Sequence, residues 1–216
     1  MANKINYQKI LDSELEKIKN SGKKPKLFLH ACCGPCSSYC LEYLNSYFDI
    51  IFYYFNPNIT PESEYRYRLS ELKRLTEEMP HENKIEFFPA EYDPKEFYRL
   101  VKGHENDPER GERCQICMHY RLEKTAIAAK SYGADYFTTT LSISPYKDSQ
   151  FLNEAGAEIS QKYGVPYLFS DFKKKNGYKR SIVLSREYNL YRQDFCGCVF
   201  SKMESERKKQ AQTVSV

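Results

Sequence analysis

The sequence predicts an α/β fold: an open, mostly parallel sheet of about five strands with helices on both faces. Short apolar segments rich in β-branched and aromatic residues alternate along the chain with longer segments of helical periodicity. The segment DIIFYYF, residues 49–55, is apolar on both faces, which is typical of a strand buried in a parallel sheet. The alternation favours a three-layer, Rossmann-like (HUP-like) arrangement.

The elements are predicted in a regular order. Strands are expected at 26–30, 49–55, 84–88, 136–141 and 165–169. The main helices are expected at 7–20, 35–47, 60–78, 114–132, 148–163 and 181–190. Glycine favours the left-handed conformation that ends a helix, so Gly133 and Gly164 are expected to end theirs. We predict an N-terminal helical extension (1–25), one α/β catalytic domain (26–201) and a disordered tail (202–216), because the tail lacks apolar periodicity.

Composition narrows the class of protein. A chain of 216 residues, 41% of them hydrophobic, can bury a core without disulfide bonds. The sequence has no apolar run of membrane-spanning length and no signal peptide, so we expect a cytoplasmic protein without a membrane partner. The eight cysteines are clustered as CC, CxxC and CxC, which disfavours a secreted disulfide scaffold and favours metal or redox chemistry.

The densest cysteine cluster follows the first predicted strand. Its members, within nine residues, are Cys32, Cys33, Cys36 and Cys40. Ligands bind at the carboxyl ends of strands in open parallel sheets, and a helix N-terminus favours thiolate over thiol. The stretch therefore predicts a redox or metal site. The spacing CGPC also matches a thioredoxin-type thiol oxidoreductase, but that alternative leaves six cysteines unexplained.

Two further motifs extend the site. Cys114 and Cys117 lie on one face of a predicted helix, so with two cysteines of the first cluster they would form a four-thiolate site for zinc or an iron–sulfur cluster. Cys196 and Cys198 would close a strained, readily reduced disulfide, which favours a redox-active pair; two additional metal ligands are the alternative.

The positive charge is local. Residues 171–192 contain seven Lys or Arg and two acids, a local charge of +5 against +4 for the whole chain. Tyrosines and a phenylalanine are interleaved with the basic residues, a combination that suits phosphate contacts with base stacking, although a solvated surface would look the same.

With these motifs together, the chain resembles the QueH-type epoxyqueuosine reductases. The resemblance rests on HACCGPC (30–36), ERCQICMHYRLEKTA (112–126), TTTLSISPYKD (138–148) and DFKKKNGYKRSIVLSREYNLYRQDFCGCVFS (171–201). It implies an oxidoreductase that reduces the epoxide of epoxyqueuosine at the wobble position of a tRNA anticodon, using electrons from an unidentified donor.

The resemblance also implies residue roles. A [4Fe-4S] cluster would be held by Cys32, Cys33, Cys114 and Cys117, and an adjacent iron ion by Cys36 among its ligands. Cys196 and Cys198 would form the redox-active pair. The tRNA would contact Lys173, Lys174, Lys175, Tyr178, Lys179 and Arg180. Cys40 lies outside the motifs and receives no role.

Two alternatives from other classes remain. A zinc-stabilised, non-catalytic tRNA-binding protein would have the same cysteines and basic segment. A tRNA thiolation enzyme of the ATP-pyrophosphatase type would have the same sheet. That enzyme needs a Ser-Gly-Gly-rich phosphate loop after the first strand, where this chain has HACCGPCS.

Overall fold

The sheet is parallel throughout its described strands. The computed structural model describes residues 5–214. The strands are β1 (Lys26–His30), β2 (Asp49–Tyr53), β3 (Ile85–Phe88) and β4 (Tyr136–Thr139), in the spatial order β3-β2-β1-β4. All three neighbouring pairs are parallel. The predicted fold class is confirmed.

Helices cover both faces of the sheet. They are α1 (Tyr7–Ser21), α2 (Gly34–Leu44), α3 (Glu62–Glu78), α4 (Lys95–Leu100), α5 (Glu112–Tyr132), α6 (Ser149–Tyr163), α7 (Gly177–Glu187) and α8 (Val199–Val214), with a 3-10 turn at Thr140–Ile143. Gly133 and Gly164 end α5 and α6 in the left-handed conformation, as predicted. Among the described residues, no helix is both long and apolar enough to cross a membrane.

Successive residues of β1 belong to different cores. Leu27 and Leu29 pack in a core to which α1, α2, α3 and α7 contribute, whereas Phe28 packs in a core with α5 and α6. Because side chains alternate between the faces of a strand, a strand covered on both faces must be apolar at successive positions. The apolar run that predicted the strand is thus explained by the three layers.

The predicted fifth strand, 165–169, is wrong: the sheet has four strands within residues 5–214. In this segment only one isolated bridge forms, between Phe137 and Tyr167. Side chains satisfy the neighbouring backbone groups. Ser160 Oγ donates to Val165 O (2.7 Å), and Thr138 Oγ1 donates to Leu168 O (2.8 Å). Backbone hydrogen bonds join the segment to β4 only around the bridge, from Phe137 N to Pro166 O (3.0 Å) and from Leu168 N to Phe137 O (2.9 Å), so the ladder does not continue.

Most of the tail for which the sequence predicted disorder lies in α8, which extends to Val214. Its first turn is fixed by tertiary contacts that hydrophobic periodicity does not reveal. Phe200 packs beside Phe97 and Cys198, and the Arg113 guanidinium lies 4.7 Å from the centre of the Phe200 ring. Residues 215–216 lie outside the described part of the chain. The domain boundaries at 25 and 201 stay predictions.

Loops that follow three adjacent strands meet at the carboxyl edge of the sheet. Asn56, after β2, donates to Ala31 O (2.8 Å), after β1. Cys32 N donates to Thr140 Oγ1 (3.3 Å), after β4. The segment between α7 and α8 reaches the same edge, where Thr60 N donates to Gly197 O (3.0 Å). This edge therefore brings together the cysteine motifs of distant parts of the chain.

Candidate thiol and metal site

Three sulfur atoms converge where β1 ends. The Sγ atoms of Cys32, Cys33 and Cys36 all lie within 4.8 Å of one another. Cys33 is extended and caps α2, and Cys36 follows inside the first turn of that helix, because Gly34 and Pro35 start the helix at once. We call these residues the thiol trio. Its geometry suits a metal that accepts sulfur ligands.

The three thiols of the trio differ in pKa. Hydrogen bonds from Cys32, and next from Cys36, lower the pKa of Cys33 well below its usual value. The hydrogen bond to Cys33 raises the pKa of Cys32 to about 12, and the pKa of Cys36 is raised by its bonds to Cys32 and Cys33. Of the three buried thiols, Cys33 therefore loses its proton most readily. Loss of the other protons requires a cation, such as a bound metal.

A second group of thiols lines a small neighbouring cavity. This group, the second thiol group, comprises Cys114, Cys117, Cys196 and Cys198. Burial raises the pKa of Cys117 to about 11. The four predicted cluster ligands are thus divided, because Cys32 and Cys33 belong to the trio. Cys36 lies with them, and the two predicted redox cysteines lie with Cys114 and Cys117.

A larger cleft connects the two groups. It has a volume of about 490 Å³ and is lined by the thiol trio and by Cys196. Its wall is shared with the small cavity through Glu109, Arg121, Lys147, Cys196 and Ser201. Cys196 is therefore a cysteine that lines both the cleft and the small cavity.

Lys147 contacts Cys196 directly, and sequence reasoning gave it no role. Its ammonium lies 3.2 Å from Cys196 Sγ and 3.9 Å from a Glu109 carboxylate oxygen, and the residue is only 9% exposed. Burial by itself raises the pKa of Cys196, but the charges of Lys147 and Arg121 outweigh it and lower that pKa below its usual value. Burial, followed by the charge of Cys196, raises the pKa of Cys198. Cys196 is thus the member of the pair that loses its proton more readily.

The sequence shows that Lys147 and Arg121 belong to motifs, but not what they contact. Both lie inside motifs that carry the family resemblance, SPYKD and HYRLE. Spacing could not show that the two cations reach a cysteine near the end of the chain, because Lys147 and Cys196 are 49 residues apart.

His30 is structural. It is fully buried, with Nδ1 2.8 Å from Thr139 Oγ1 and Nε2 3.1 Å from Phe55 O. Because a carbonyl only accepts, the Nε2 proton points at Phe55, and Nδ1 accepts from the threonine. Burial, with the nearby Arg121 charge, lowers the pKa of His30 to about 3, so the ring is neutral. Both nitrogens are occupied, so neither is available to a metal.

Cys40 lies apart from both thiol groups. It is fully buried in the core that α2 shares with α1, α3 and α7. Desolvation raises its pKa well above the usual value. It is a packed apolar side chain.

The basic segment contains both internally bound and free cations. Lys173 donates to Ser142 O (2.9 Å), Lys175 to Asp12 (2.7 Å), and Arg180 pairs with Glu42 (2.5 Å). Lys174 and Lys179 are exposed, with no ion pair to any residue the structure describes. Tyr178 lines the cleft. The six predicted tRNA contacts therefore do not form one continuous surface of free charges.

The fold and these side chains define a parallel α/β protein with a redox- or metal-type thiol centre at its sheet edge. The family model described as "Epoxyqueuosine reductase QueH" matches residues 27–204. The epoxyqueuosine reductase QueH of Streptococcus pyogenes serotype M1 is 42% identical over 200 residues, which cover 92% of this chain and 78% of the relative. Those of Staphylococcus epidermidis (42% over 205 residues; 93% and 86%) and Thermotoga maritima (34% over 188 residues; 84% and 93%) are also similar.

The chain belongs to the QueH family and is an oxidoreductase. This confirms the family resemblance that the sequence motifs indicated.

Proposed function

We propose that this protein reduces the epoxide of epoxyqueuosine at the wobble position of a tRNA anticodon, giving queuosine. One observation carries the proposal beyond family membership: Cys196 faces both the cleft with the thiol trio and the cavity with Cys198 and the CxxC motif. A substrate in the cleft would therefore contact a redox-active thiol and a metal site together. The volume of the cleft, about 490 Å³, is typical of a small-molecule or single-base pocket.

The donor atoms fit the cofactors that the family implies. They are sulfur atoms, and the nearby His30 has no free nitrogen. Four thiolates suit a [4Fe-4S] cluster, as they do zinc. We assign Cys32, Cys33, Cys114 and Cys117 to the cluster, and Cys36 to an adjacent iron ion. When bound, the cluster would supply electrons singly and the iron would act as a Lewis acid.

The CxC pair provides the electrons in the required number. Conversion of an epoxide to an alkene consumes two electrons and two protons and releases the oxygen as water. Oxidation of the Cys196 thiolate and the Cys198 thiol to one disulfide releases two electrons and one proton, and the second proton comes from solvent. Atoms and charge balance, and an external reductant must then restore the pair. All eight cysteines are free in the structure, which corresponds to the reduced state.

Lys147 has a defined part in this scheme. Its ammonium, 3.2 Å from the sulfur, lowers the pKa of Cys196 and so favours the thiolate, while burial and the charge of Cys196 raise the pKa of Cys198. The thiolate is the nucleophilic and readily oxidised form of cysteine.

The tRNA is expected to approach from the side of the cleft. Tyr178 offers a stacking surface at the cleft wall, and the exposed Lys174 and Lys179 are available to phosphates. An enzyme acting on one base must unstack it, so we propose that the modified base is splayed into the cleft.

The function is tested by anaerobic incubation with epoxyqueuosine-tRNA and a chemical reductant after reconstitution with iron and sulfide. We expect a brown protein with four-iron absorbance, and modified nucleosides that lose the mass of one oxygen atom. Protein loaded with zinc alone is the control and should leave the nucleoside unchanged. A zinc-bound protein that stays colourless and inactive after reconstitution would instead support the non-catalytic tRNA-binding alternative.

The basic segment is tested by replacing Lys174 and Lys179 together with alanine. We expect weaker tRNA binding. The slope of log affinity against log salt concentration should become shallower by roughly 1 to 2, because each phosphate contact that is lost means about one counterion fewer released on binding. Lys173 and Lys175 are left unchanged, since both are bound to other parts of the chain.

The matched control removes the same charge elsewhere. Lys19 and Lys130, exposed in the last turns of α1 and α5, precede strands and so lie towards the amino edge of the sheet. Their double alanine variant should bind tRNA as the wild type does. Equal weakening by both double variants would show a general charge effect and remove the basic segment from the interface.

A further inference from the structure

Arg68 is a buried cation that the scheme above does not use. It lies on α3 and is 1% exposed. Its Nε donates to Glu64 (2.7 Å), its Nη1 donates to Cys196 O (3.1 Å), and its guanidinium lies 5.1 Å from the centre of the Phe195 ring. These three contacts hold the guanidinium in place.

The remaining nitrogen, Nη2, is buried and has no hydrogen-bond partner among the described residues. Arg68 lines the cleft. Buried donors in folded proteins are nearly always paired, and an unpaired donor on a charged group is costly. A donor held rigidly at the wall of a cleft, without an acceptor, indicates that the acceptor belongs to a ligand.

The surrounding chain is shaped around this group. Position 197 is glycine, and a Cβ there would lie 3.1 Å from Arg68 Nη1 and 2.9 Å from Ile59 Cγ1. Gly197 also has φ +125°, which other residues rarely adopt. The glycine between the two redox cysteines therefore leaves room for the guanidinium beside Cys196.

The chemistry of the site selects the kind of acceptor. The Glu64 carboxylate already balances the charge of Arg68. Because the Arg68 side chain is almost fully buried, a backbone phosphate at the rim of the cleft would not reach it. A neutral oxygen inside the cleft fits better. Because Nη1 is bonded to the backbone carbonyl of Cys196, the guanidinium lies beside the residue that the proposed function makes a source of electrons. The substrate oxygen expected beside that residue is the one that leaves.

We propose that Arg68 Nη2 donates a hydrogen bond to the epoxide oxygen of the substrate, so that the cleft binds the epoxide in preference to the alkene product. This inference rests on the proposed function. The alkene has no oxygen at that position, so the donor loses its acceptor when the reaction is complete. Arg68 is thereby a binding residue that discriminates substrate from product.

The test compares the affinities of two tRNAs for the reconstituted, oxidised protein without reductant, so that no turnover occurs. One tRNA carries epoxyqueuosine and the other queuosine at the wobble position. A hydrogen bond from a charged donor is worth roughly a tenfold difference in affinity or more, which we expect in favour of the epoxide. In R68K and R68Q this preference should fall to near unity, with the affinity for queuosine-tRNA unchanged.

Arg66 is the matched control, because it is exposed on the same helix and pairs with Glu62. R66K should keep the wild-type preference. Equal affinities of the wild type for the two tRNAs, or a preference that persists in folded R68K and R68Q, would overturn the inference. If both Arg68 variants fail to fold, the ratio of the wild type's affinities for the two tRNAs is the test, and a ratio near one overturns the inference. Failure of the wild type to convert epoxyqueuosine-tRNA is a separate result and rejects the proposed function itself.

Discussion

Replacing Cys196 with serine is expected to lower turnover of epoxyqueuosine-tRNA by roughly 10³-fold or more, as loss of an essential catalytic group does. Serine matches cysteine in shape but does not form a disulfide, so the two electrons are no longer available from the pair. Cys198→Ser should have an effect of similar size, because the two residues act as one unit. Iron content and tRNA affinity should stay within about twofold of wild type, as expected when only the chemical step is lost.

The measurement is a single turnover by the reduced protein with no added reductant. The wild type should form product and lose two hydrogens from the peptide that contains residues 196 and 198. Cys40→Ala is the control, because it removes a thiol that is buried in the core away from both thiol groups. Full turnover by Cys196→Ser would show that the electrons do not pass through the pair.

The sequence predicted the layered fold because its causes are local. Leu27, Phe28 and Leu29 are buried on alternate faces of β1, and an apolar run with no polar alternation records this directly. The segment at 165–169 has the same appearance. It pairs with β4 at Tyr167 alone, and the Leu168 carbonyl accepts from the Thr138 hydroxyl where a longer ladder would need a backbone amide. Such tertiary competition has no signature in hydrophobic periodicity.

The thiol site was predictable residue by residue, but its grouping was not. Spacing identified each cysteine motif, since strand ends and helix starts are local features. It did not indicate that Cys196 lines both the cleft and the small cavity. Nor did it indicate that Arg68 donates a hydrogen bond to the backbone carbonyl of Cys196, 128 residues away in the sequence. Charged residues that act on a site over such distances look like ordinary surface residues in a sequence. Here Arg68 and Lys147 are both buried.

The structure also bears on the alternative with ATP-pyrophosphatase chemistry. Such chemistry needs free backbone amides after β1 to hold phosphate. In this protein the Cys32 amide donates to Thr140, the Ala31 amide to Tyr53 O, and the turn presents three thiols. The first loop is built to present sulfur atoms.

Replacing Lys147 with methionine is expected to raise the pKa of Cys196, because burial of the thiolate is then opposed by Arg121 alone. A raised thiol pKa means that the thiolate appears only at higher pH. Since each unit of increase in this pKa lowers the thiolate fraction up to about tenfold, turnover near pH 7 should fall and recover as the pH rises. Lys147→Arg keeps a cation and should keep the low pKa.

The pKa is read from the pH dependence of alkylation of Cys196, followed by peptide mass analysis. A Cys198→Ser background makes Cys196 the only cysteine in its peptide. The midpoint in Lys147→Met should lie above that of the Lys147 parent, with Lys147→Arg close to the parent. The exposed Lys162, which pairs with Glu123, provides a control as Lys162→Met. Coincident alkylation curves for Lys147→Met and its parent would mean that the ammonium 3.2 Å from the sulfur does not determine the charge of Cys196. The thiolate would then have to be stabilised by Arg121, the other cation whose charge lowers the pKa of Cys196.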